Sequence, residues 1–138
     1  MYRRDYIIRL IEQFARILIA LRNRILRREL TTEDLRREIQ EIAQQAGIDL
    51  SLARQLDPQM LLMWLAPTGE IDEPKFWLIA ELLYLDGMDA REGARDDGGA
   101  ADLARARAIF GKLPADWRPA EGLASAGERC AEIARLLE

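Results

Sequence analysis

From Tyr2 to Glu29 the chain runs without a single glycine or proline, and its apolar residues keep a helical spacing throughout. Placed at 100° intervals, Ile7, Leu10, Ile11, Phe14, Ile17, Leu18, Leu21 and Ile25 fall on one side, a stripe wide enough to face a core. Ile8, Ile19 and Leu26 fall on a flank outside it, so a second, weaker apolar surface is expected there. At ~1.5 Å per residue such a helix reaches ~42 Å. A compact chain of this size measures only about 35 to 40 Å across. The helix is therefore expected to span the domain or overhang it, with the rest of the chain covering it.

The same run is strongly basic. Eight arginines face three acids in the first thirty residues, a balance of +5, whereas the twelve basic and twenty-one acidic residues that follow give −9. Three readings of this helix are open. It can lie against an acidic body with its arginine stems covering apolar edges. It can pair with a second copy through Ile8, Ile19 and Leu26, flanked by Arg9, Arg16 and Arg27. It can rest on anionic lipid, as basic amphipathic helices do.

The remaining chain reads as shorter helices. Thr31 or Thr32 can cap a second helix running to Ala46, which Gly47 ends. Asp49 or Ser51 can cap a third from Leu50 to Leu56, and Asp57-Pro58 starts a fourth whose residues Met60 to Leu65 are apolar on nearly all sides. A helix of that kind is expected to be mostly buried. Asp72-Glu73-Pro74 opens a second long helix to about Gly93, and Ala101 to Lys112 forms an alanine-rich return whose small residues allow close packing. After a connector anchored by Trp117, a last helix is expected from Glu121 to Leu137. The expectation is a single all-α domain over 1–138. It is an array of six or seven helices in antiparallel hairpins, divided into a long basic helix (1–30), short helices (31–66), a long hairpin (74–112) and a C-terminal helix (120–138).

The chain contains no histidine, which removes Ser-His and Cys-His nucleophile pairs, histidine-ligated zinc and the di-iron Glu-x-x-His motif. Cys130 is the sole cysteine and reads as a small buried residue; no glycine-rich phosphate loop or nucleophile elbow occurs. No catalytic residue, cofactor or metal is therefore expected. One acidic constellation stands out, Asp86, Asp89 and Glu92 at helical spacing, continued by Asp96 and Asp97. It reads as a solvated face with caps, as a docking face for the basic helix or a partner, or as a hard-cation site, the last opposed by the missing EF-hand spacing and nearby arginines. No apolar stretch reaches membrane-spanning length, no signal sequence is apparent, and an acidic chain of pI near 5.0 suits nucleic acid poorly. A cytoplasmic address is expected.

The hairpin from Phe76 to Lys112 resembles one tetratricopeptide unit, with a Gly-bearing turn and an alanine-rich helix ending near Phe110 and Pro114, although no 34-residue repetition is present. More of the chain is similar to an uncharacterised family of bacterial helical proteins with tetratricopeptide-like features. The residues that carry this are Asp5 to Arg9, Ile11 to Phe14, Leu61-Leu62, Pro67 to Asp72 and Ala80 to Tyr84. The resemblance implies an all-helical fold in a bacterial cytoplasm and implies no substrate. The expected function is a non-catalytic protein interaction or structural module, self-associating as a dimer through the first helix. The alternative is a peripheral adaptor that carries the arginine-rich helix to anionic membrane or an acidic partner.

Overall fold

Glu73–Glu92 forms a 20-residue helix in which every side chain from Phe76 to Met88 is buried, so the other helices are arranged around it. The computed structural model describes residues 3–93 and 98–138. Among these residues there are seven α-helices and no strand: α1 (Arg3–Leu26), α2 (Thr32–Ala46), α3 (Leu50–Ala53), α4 (Pro58–Leu65), α5 (Glu73–Glu92), α6 (Gly99–Phe110) and α7 (Ala126–Leu136). The chain is all-α, as its periodicity implies. None of the helices described is long and apolar enough to cross a membrane.

Five of the helix starts have a side-chain cap. Thr31, Asp49, Asp57 and Asp72 each accept from the backbone N–H three residues on, at 3.1, 3.0, 2.8 and 3.4 Å. Ser125 and Glu128 form a reciprocal capping box at the start of α7. That motif corrects the expected start at Glu121: residues 121–124 are non-helical, and the helix begins where Ser125 can satisfy its free N–H groups. The third helix is likewise shorter than expected, ending at Ala53.

The first helix stops at Leu26 rather than Glu29. Arg28 turns left-handed at φ +57°, and the bonds from Glu29 N to Arg24 O (2.9 Å) and Arg28 N to Ile25 O (3.0 Å) close the end in a Schellman arrangement. An arginine there costs more than a glycine. Its guanidinium, however, donates to Glu92 O at 2.7 Å, at the negative end of α5.

Paired residues give the directions around α5. Its C-terminal half meets Arg22 and Arg28 of the α1 end and Arg129 to Leu136 of α7, so these helices run in the same sense as α5. Thr32 meets Asp89 and Arg36 meets Asp86, so α2 runs against it. Against α6 the approach is tight. A Cβ on Gly87 would lie 2.7 Å from Leu103 Cγ and 2.9 Å from Gly99 O, and one on Gly99 would lie 2.6 Å from Ala90 Cβ. The small residues that permit this contact are thus Gly87, Ala90 and Gly99; of the alanines on α6, Ala106 is buried and Ala101 exposed. Trp77 joins three parts of the fold, stacking edge-on against Phe110 at 6.4 Å and donating its indole N–H to Ala124 O at 3.1 Å.

Candidate interaction surfaces

A buried polar group left without a partner would be a candidate for chemistry. Glu81 and Asp86, both on α5, are nearly inaccessible. Arg129 of α7 closes over Glu81, and Arg36 of α2 with Arg54 at the end of α3 closes over Asp86.

At the seam between α1 and α7, Arg129 takes Glu81 in a bidentate pair with both contacts at 2.7 Å, and reaches Glu132 at 3.2 Å. Its guanidinium also lies 4.4 Å from the centre of the Tyr84 ring. Tyr84 donates to Glu132 and accepts from Arg22 Nε at 2.8 Å; Arg22 then pairs with Glu132 at 2.8 Å. Burial works against ionisation of Glu132, but the Tyr84 and Arg22 hydrogen bonds outweigh it and hold the carboxyl below its usual range. Burial pushes the Tyr84 phenol up, so it stays a neutral donor.

Asp86 accepts from Arg54 at 2.8 Å and Arg36 at 3.5 Å. Arg54 also approaches Asp102 on α6 at 3.6 Å, and Arg105 holds Asp102 at 3.1 Å while donating to Leu56 O at 2.7 Å. Burial raises the Asp102 carboxyl to about 6, opposed by Arg54 and Arg105 and reinforced by Asp86. Both networks act as structural closures, although Arg54 Nε, buried and 3.6 Å from Asp102, makes no hydrogen bond.

Of the expected acidic face, Asp86 does not reach the surface. Asp86 is buried under two arginines, which corrects its reading as part of a solvated or docking surface. Asp89 accepts from Thr32 at 3.0 Å, and Glu92 offers its carbonyl to Arg28. Asp96 and Asp97 lie outside the described residues. α6 begins after Gly98 without a side-chain cap. Cys130 is half-buried, not enclosed, and burial raises its thiol.

The first helix distributes its apolar residues much as expected. Ile7, Leu10, Ile11, Leu18, Leu21 and Ile25 are buried and Phe14 is half-buried, but Ile17, placed in the stripe by spacing, is 38% exposed at its edge. On the flank Ile8 is half-buried, whereas Ile19 and Leu26 are 40% and 44% exposed. Arg9, Arg16 and Arg27 are all exposed next to them. Ile19 also forms one wall of a cleft of about 550 Å³ between α1 and α7, with Arg22, Arg129 and Glu132 among its lining.

A second surface was not anticipated. On α4 only Leu61 is fully buried; Met60, Met63 and Trp64 are 52%, 66% and 41% exposed. The expectation of a buried fourth helix is thus overturned. These three residues at i, i+3 and i+4 form one ridge, since α4 rests on α6 by its opposite side. Beside the ridge is a groove of about 470 Å³, lined by Leu62, Met63, Ala66, Ile71 and Phe76 with Lys112 at its rim. The signal was present in the sequence: a helix of eight residues between Asp57-Pro58 and Pro67 is too short to occupy the centre of a chain this size.

No family model, curated protein or solved structure matches the chain. The resemblance from Asp5 to Tyr84 rests on those residues alone.

Proposed function

We propose that this chain is a non-catalytic protein interaction module that self-associates through α1. The observation that carries the reading is the flank of that helix. Ile19 and Leu26 remain exposed on a helix whose core-facing stripe is buried, beside three exposed arginines. The buried acids Glu81, Asp86 and Asp102, in contrast, are all held by arginine. A helix that positions two large aliphatic side chains in water at matched spacing is suited to covering them with another surface. Ile19→Glu with Leu26→Glu tests this without disturbing the core. Light scattering is expected to show the native chain above its monomer mass and the double variant at monomer mass; an unchanged mass would refute self-association through α1.

The exposed row Arg9, Arg16 and Arg27 supports a second reading, an adaptor placing the same flank on anionic lipid. Cosedimentation with vesicles rich in phosphatidylserine at low salt, fading as salt rises, is its expected signature. The family resemblance supports a bacterial cytoplasmic setting for either reading.

A further inference from the structure

Two exposed apolar ridges of opposite electrostatic character occur on one chain. Building on self-association through α1, we propose that the Ile19 and Leu26 flank of one copy docks on the Met60, Met63 and Trp64 ridge of the next, so that copies join head to tail.

Three observations converge on this pairing. The α1 flank is bordered by the exposed Arg9, Arg16 and Arg27, with the exposed Glu12 among them, whereas the α4 ridge has the exposed acids Asp57 at its start and Glu70 in the turn after it, with Lys112 on the rim of the adjoining groove. Pairing α1 with α1 would set each arginine row against its own copy, and pairing α4 with α4 would oppose acids with acids. Pairing α1 with α4 matches opposite signs and avoids both repulsions. The whole chain has the same polarity, with +5 on the first thirty residues and −9 on the remainder.

The dimensions also agree. Ile19 and Leu26 are seven residues apart, ~10.5 Å along the helix, and the eight residues of α4 extend ~12 Å. Laid lengthwise along α1, a helix of that length spans both aliphatic side chains. The groove next to Met63 has room for a leucine side chain, and Lys112 marks its far rim. Methionine suits such a surface because its unbranched thioether adapts to an incoming shape. The contact is heterologous, so each copy retains one unused ridge and growth does not stop at two copies unless the rotation closes a ring.

Two blocked variants provide the test. Ile19→Glu with Leu26→Glu disables the α1 surface, and Met60→Lys with Met63→Lys disables the α4 surface; all four positions are exposed. The native chain is expected to gain mass with concentration beyond two copies, each variant alone to remain at 15.8 kDa, and an equimolar mixture to form a one-to-one pair of twice that mass. If the α4-blocked variant forms pairs alone, α1 meets α1: self-association stands and the head-to-tail pairing is overturned. A native chain that stays monomeric at all concentrations overturns both. A charge-only version guards against misfolded variants. Arg16→Glu with Arg27→Glu should be monomeric and should regain association when Glu70→Arg is added to the same chain; failure of that rescue also counts against the pairing.

Discussion

Arg129 makes the contacts that most other side chains at the α1/α7 seam depend on. It satisfies both oxygens of Glu81, reaches Glu132 and covers the Tyr84 ring. Removing it leaves a carboxylate in the core without its cation, so Arg129→Met is expected to cost about 3 to 5 kcal/mol in urea unfolding. Adding Glu81→Leu should restore much of that loss, because the unpaired charge is then gone as well; a double variant as weak as the single would show that Glu81 is not what Arg129 satisfies. Asp102 offers a second test with a definite sign. Its carboxyl titrates near 6 in the folded chain against an ordinary value of 3.8, so the folded state takes up a proton first as pH falls. Relative to Asp102→Asn, the native chain should gain stability from pH 7 to pH 4 and lose that gain as pH rises through about 6. A relative loss on acidification would mean that Arg54 and Arg105 dominate over burial. Neither network could be located from sequence. Glu81 was visible as the one charge inside Phe76 to Leu85, which requires a partner, but nothing in a linear reading points to Arg129, forty-eight positions away.

For the elements, the sequence was most informative where local chemistry decides. Capping residues and proline positions placed the starts of α2, α4 and α5, and Gly47 placed the end of α2. The end of α1 was not legible because Arg28 adopts a left-handed turn normally given to glycine, held by a carbonyl on α5 that only the tertiary fold brings near. The relative burial of α4 and α5 was also hidden. Both are apolar nearly all round, and only the number of neighbours each can recruit decides which is central; twenty residues contact α1, α2, α6 and α7, while eight rest chiefly on α6. The α5/α6 contact is open to a clean test. Alanine is favoured over glycine inside an open helix by about 0.5 to 1 kcal/mol. Gly87→Ala should instead destabilise by about 1 to 3 kcal/mol, since its methyl would press on Leu103 and on the Gly99 carbonyl. A stabilised variant, measured by urea denaturation, would show that the helices can separate without cost.

At the scale of the molecule, a chain of 138 residues encloses the middle of one helix, Phe76 to Met88, and therefore has little left to cover its outermost elements. α1 and α4 are those elements, and the large apolar residues exposed among the described positions lie on them. The sequence revealed the α1 surface through its second apolar flank and its arginines, and concealed the α4 surface because an all-apolar helix reads as core. Opposite charges on the two surfaces should make association weaken as salt rises, although the aliphatic contact should keep it from vanishing. The measurement that addresses the central claim most directly is solution mass by light scattering over a concentration series at low and high salt. The account expects mass above 15.8 kDa, growing with concentration and reduced by salt. A mass of 15.8 kDa at every concentration and both salts would contradict it, leaving the α1 flank for a different class of partner.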